Sequence, residues 1–141
     1  MVAAMSPPDR LLGFLPHEVS ALVNRPVVAT HAQDAAFLWG QRERAAQAPH
    51  YTLSHLLRLD LRLIAHLEGL RLAGEVGMRA AEEALADATP GALFVWAWLA
   101  CQAADGTRLR QALQTAQAEP ALGPGLVSAL AWVPPQRLWP W

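Results

Sequence analysis

From about residue 28 onward, apolar residues recur three and four apart, and no stretch shows the period-two alternation of a strand. The spacing predicts helices throughout. The first covers 28–47. The second opens at Thr52, a good N-cap, and ends near Gly74, a good C-terminal glycine. The third covers 75–87. Thr89-Pro90 opens the fourth in the favoured cap-then-proline order, and it runs to about Ala104. After an Asp105-Gly106 turn the fifth covers 107–118, stopped by Pro120, and the sixth covers 122–133. Residues 1–26 read as an irregular strap, because Pro7, Pro8, Pro16 and Pro26 break any long helix. Within it Leu11, Leu12, Phe14, Leu15, Val19, Leu22 and Val23 supply one short helix and packing contacts. The division expected is therefore a strap over 1–26 and a single helical domain over 27–141. That domain comprises a hairpin at 28–74, repeat-like helices at 75–134 and a Trp/Pro-rich tail at 135–141.

The hairpin carries charge on its apolar faces. His31 and Arg42 share a stripe with Ala35, Leu38, Trp39 and Ala46, while Asp60 lies among Leu53, Leu56, Leu57, Ile64 and Leu67. A turn near 48–51 brings residue 42 opposite roughly 57–60. Since a lone buried charge is costly, Arg42, Asp60 and His31 are expected to form a buried structural cluster that fixes helix register. Losing Asp60 is then expected to destabilise by roughly 3 kcal/mol or more. In the alternative, Arg42 snorkels to solvent and Asp60 accepts from a backbone or histidine donor.

A weak internal repeat accompanies the helices. Gly91–Ala100 matches Gly125–Pro134 at a shift of 34 positions, aligning Leu93 with Val127, Trp96 with Leu130, Ala97 with Ala131 and Trp98 with Trp132. A helix precedes each copy, as in two-helix repeats that stack into a solenoid. The expected architecture is an all-α, right-handed solenoid of HEAT-like helix pairs capped by the longer N-terminal hairpin. An irregular bundle is the alternative.

Composition narrows the function classes. The 141 residues suffice for one domain with a real core, and the 53% hydrophobic fraction implies deep burial or an apolar surface meant for a partner. With a formal net charge of -1, no general attraction to nucleic acid or anionic lipid is expected. Cys101, the only cysteine, sits in Ala-Trp-Leu-Ala-Cys and reads as a small buried hydrophobe. The N-terminus lacks the cationic start and apolar core of a signal peptide, and the longest apolar run, 92–101, is too short to span a bilayer. A cytoplasmic location is expected, with no cofactor.

Specific residues carry a resemblance. His31, Asp34, Phe37-Leu38-Trp39, Arg42, Pro49-His50-Tyr51, Leu59-Asp60, Arg62, His66-Leu67, Gly69-Leu70 and Gly74 resemble a largely uncharacterised proteobacterial family with HEAT-like repeats, often encoded near type VI secretion genes. Members of that family are longer, so the resemblance implies that this chain matches their N-terminal portion. It also implies a protein-binding role accessory to secretion. The family has no assigned catalytic residues to carry over.

Candidate sites follow from spacing. His55, Arg58, Arg62 and His66 fall within about 100° of arc on helix two, giving one polar, partner-facing stripe. His55 and His66 are about 16 Å apart along the axis, too far to share an ion, and neither HExxH nor CxxC occurs, so no metal site is expected. His31 and Asp34 have the spacing of a base and its orienting carboxylate, with Ser54 and Cys101 as the only plausible nucleophiles. A satisfied interface histidine is the plainer reading. Trp96, Trp139 and Trp141 are expected to be partner-facing, and the apolar C-terminal end also permits self-association. The function expected is a protein-binding scaffold or adaptor. The alternatives are an immunity-type protein neutralising a secreted toxin, and a small hydrolase-like enzyme using His31 and Asp34.

Overall fold

The computed structural model describes residues 22–138. Seven helices and no strand occur among them: α1 (Arg25–Gln47), α2 (Leu53–Leu72), α3 (Glu75–Ala84), α4 (Pro90–Gln102), α5 (Gly106–Ala118), α6 (Gly123–Trp132) and the single turn α7 (Pro135–Leu138). The class is all-α. Each boundary has a local cause. The Asn24 side chain accepts from the Val27 amide at 3.3 Å and caps α1. Pro26 therefore lies inside the first turn, where its missing N–H costs nothing, and the helix starts three residues before the position its proline suggested. Thr52 and His55 cap α2 reciprocally, Thr89 accepts from the Ala92 amide at 3.1 Å, and Asp105 accepts from the Arg108 amide at 3.0 Å. Gly74, at φ 60°, reverses the chain between α2 and α3. The expected third helix instead ends at Ala84 and tightens into a 3₁₀ turn over Leu85–Asp87, closed by Ala88 in the left-handed region.

The core is centred on α4, which packs against α1, α2, α3, α5, α6 and α7. All residues from Gly91 to Cys101 are buried, so this helix has no solvent face. Trp96 and Trp98 are 4% and 7% exposed. The expectation that Trp96 faces a partner is corrected by this: its helix is surrounded, and an all-round apolar helix is a central one. The Trp96 Nε1 is buried without a hydrogen-bond partner among the described residues. Trp139 and Trp141 lie outside the described residues. Each fully buried Leu, Val or Phe contributes about 1.5–3 kcal/mol of transfer free energy, so α4 is the main apolar anchor of the fold.

Glycines set the crossings on this helix. A Cβ on Gly91 would overlap the Ala36 carbonyl of α1, and one on Gly125 would overlap the Pro90 carbonyl at the start of α4. These glycines occupy equivalent places in the internal repeat, so α4 lies on α1 as α6 lies on α4. The remaining matched positions are not equivalent in burial: Leu93 and Ala97 are buried, whereas Val127 and Ala131 are exposed. Nor are contacts confined to neighbouring pairs. The Trp39 Nε1 of α1 donates to the Ser128 hydroxyl of α6 at 2.9 Å, across an aromatic cluster of Trp39, Phe94 and Trp132. Among the described residues no helix is long and apolar enough to cross a membrane.

Candidate functional site

The hairpin of α1 and α2 brings together most of the residues singled out from the sequence. The Arg42 Nε donates to Asp60 at 2.6 Å, and its Nη1 donates to Glu43 at 3.1 Å. The guanidinium also lies 5.4 Å from the centre of the Trp132 ring, tying α2 and α6 to α1. The pair is not sealed: the side chains of Arg42 and Asp60 are 26% and 28% exposed. The expectation of a buried cluster is corrected accordingly, because both groups sit at the rim of the interface where water reaches them. His31 is not part of it. It lies nearer the N-terminal end of α1, where its Nδ1 meets the Nδ1 of His66 at 2.8 Å. Gly69 makes room for the His31 ring, whose edge would stand 3.2 Å from any Cβ there. Each α1–α2 link thus uses one residue from each helix, and the two links are separate.

His31 makes no hydrogen bond to Asp34 among the described residues; its Nδ1 is engaged by His66 instead. Burial pushes the His66 imidazole below its ordinary value. Asp34 opposes this shift, while the facing His31 and Arg62 add to it. His66 is half-buried in the hairpin seam, which corrects its placement on a solvated, partner-facing stripe. Burial raises the Cys101 thiol above its usual range, as expected of an inert core cysteine. Among the described residues no group of three or more His, Cys, Asp or Glu is placed to hold a metal ion.

The face of α2 turned away from the core is the most unusual surface of the molecule. The helix buries Leu63, Leu67 and Leu70; of the apolar stripe around Asp60 that the sequence suggested, Leu67 is buried and Leu56 half-buried, while Leu53, Leu57 and Ile64 face outward. Leu53, Leu57, Leu61 and Ile64 are left 85%, 57%, 57% and 44% exposed. At 100° per residue these four fall within about 80° of arc, forming one continuous ridge. Asp60 stands at its edge, on the side facing α1. Beyond the opposite edge lie Arg58 and Arg62, both exposed, and neither pairs with a carboxylate of any described residue. Next to them, His50, Tyr51, His55 and Leu59 complete a shallow pocket of about 460 Å³ with the two arginines. Tyr51 lies tilted against His50, with ring centres 4.8 Å apart, and meets His55 edge-on. His55 is exposed, and its Nδ1 accepts from the Thr52 amide as part of the N-terminal cap. The exposed leucines were missed as a site because leucines cover well over half of the circumference of α2, so periodicity alone does not show which part of that wide apolar arc faces inward.

No family model, curated protein or solved structure matches this chain.

Proposed function

We propose that this protein is a protein-binding adaptor that engages its partner through the outward face of α2. The observation that carries the reading is the exposed ridge of Leu53, Leu57, Leu61 and Ile64. Single exposed leucines are ordinary on soluble proteins, but four in register along one helix are a recognised mode of helix recognition. Arginine and tyrosine beside the ridge supply the polar margin that such surfaces carry. The resemblance to the HEAT-like family adds a context for the role, accessory to type VI secretion in the cytoplasm. In this reading the pairs α3–α4 and α5–α6 are successive HEAT-like units of a right-handed solenoid capped by the α1–α2 hairpin. The shared use of Gly91 and Gly125 at successive crossings supports it.

The test is capture from the source cell with wild-type protein and with Leu57→Glu/Leu61→Glu. Both positions are exposed, so the variant is expected to keep the wild-type melting temperature and to lose a protein that the wild type retains. Equal retention by both proteins, or nothing retained by the wild type, rejects the role.

A further inference from the structure

The geometry points to the chemistry of that partner: an amphipathic helix from another protein, apolar along one side and acidic along the adjacent one. This inference rests on the adaptor reading above and adds the sign of the partner's charge. Arg58 and Arg62 lie beside the middle turn of the three-turn leucine ridge, so an occupant lying along the ridge passes next to both arginines. Arg58 and Arg62 are one turn apart, exposed, and unpaired with any described carboxylate. The two acids of α2 are both taken, Asp60 by Arg42 at 2.6 Å and Glu68 by Arg71 at 2.8 Å. The outward surface is therefore locally cationic although the chain as a whole has a net charge of -1. Carboxylates arriving beside Arg58 and Arg62 would meet planar donors matched to them.

The same arrangement disfavours a second copy of this chain. In an antiparallel pairing across the leucine ridge, like edges of the two helices face each other, which sets Arg58 and Arg62 against their own counterparts. In a parallel pairing the arginines meet the opposite edge, where Asp60 is already held by Arg42. Neither supplies a free carboxylate, and like charges across an interface are a deterrent. A lipid surface is disfavoured as well. Two arginines give little attraction to anionic headgroups, and stable surface attachment needs a more extensive basic face.

The experiment uses the full chain and two labelled peptides of about 20 residues, the length of α2. Both present a leucine face; one is flanked by Glu and the other by Lys. Fluorescence anisotropy is expected to show binding of the Glu-flanked peptide at least about tenfold tighter, a difference of about 1.4 kcal/mol, weakening as salt rises. Arg58→Glu/Arg62→Glu is expected to reverse the preference, and Leu57→Ser/Leu61→Ser to abolish binding of both peptides. Equal binding of the two peptides, unaffected by the arginine reversal, overturns the acidic partner while leaving the leucine ridge as the docking surface. Failure of both peptides to bind at millimolar concentration overturns the helix-docking inference. Binding of the chain to phosphatidylserine vesicles in place of the peptides, or a concentration-dependent dimer lost in Leu57→Ser/Leu61→Ser, overturns it in favour of a membrane or a second copy.

Discussion

Arg42, with Trp39, joins the first hairpin to α6. It donates to Asp60 on α2, reaches Glu43 on its own helix and lies over Trp132 on α6. The sequence placed Arg42 and Asp60 opposite each other, because a short turn fixes how far two antiparallel helices overlap. It overstated their burial, because helical phase alone does not tell the centre of an interface from its rim. The rim position decides the energetics. A sealed guanidinium stripped of its partner would be costly, but at about a quarter exposure water replaces much of what Asp60 provides. Asp60→Ala is therefore expected to lower the unfolding free energy by about 1 kcal/mol, measured by urea denaturation. A loss above about 3 kcal/mol would show that the pair is desolvated after all.

At the scale of elements, what was legible and what was not divide along one physical line. Caps and turns are local chemistry, so Thr52, Gly74, Thr89-Pro90 and Asp105-Gly106 mark helix ends both in the sequence and in the fold. Facing is a tertiary property. On α2 the leucines cover a wide arc, more than half of the circumference, and the buried part of it, Leu63, Leu67 and Leu70, is chosen by packing against α1, α3 and α4. The outward leucine ridge was illegible for the same reason, whereas Arg58 and Arg62 beside it were already marked by the sequence as part of a polar stripe, and both are exposed. The apolar run through α4 did carry a signal of centrality, in that every position from Gly91 to Cys101 is apolar, yet Trp96 was assigned to the surface. The repeat was visible as aligned letters, and its physical content is the pair of glycines at the crossings. Gly125→Ala would drive a methyl group into the Pro90 carbonyl and Gly91→Ala into that of Ala36, each forcing backbone apart. Each variant is expected to lose about 1–3 kcal/mol, despite alanine's better helix propensity. Thermal melts showing either at or above wild-type stability would mean that the helices cross less closely than described.

For the molecule as a whole, the His31–His66 contact makes stability depend on pH in a defined direction. With both rings neutral, one Nδ1–H donates to the other Nδ1, and one added proton still leaves a donor and an acceptor between them. Two added protons leave donors facing each other at 2.8 Å with no acceptor. Burial already holds His66 below its ordinary value of 6.5, and His31 and Arg62 press the same way against the opposing Asp34. The sign follows from linkage. A base whose folded value is depressed binds fewer protons folded than unfolded, so stability rises with pH through that window. The contribution is fully present above 6.5 and is lost as pH falls through the lowered folded value. His66→Asn separates this effect from general acid sensitivity, because an Asn amide placed at the Nδ1 position still pairs with His31 but does not titrate. Between about pH 7.5 and 5 the wild type is expected to lose more stability than His66→Asn, with the two curves converging in slope above pH 7. Parallel curves across the whole range would show that the seam between α1 and α2 does not titrate with folding.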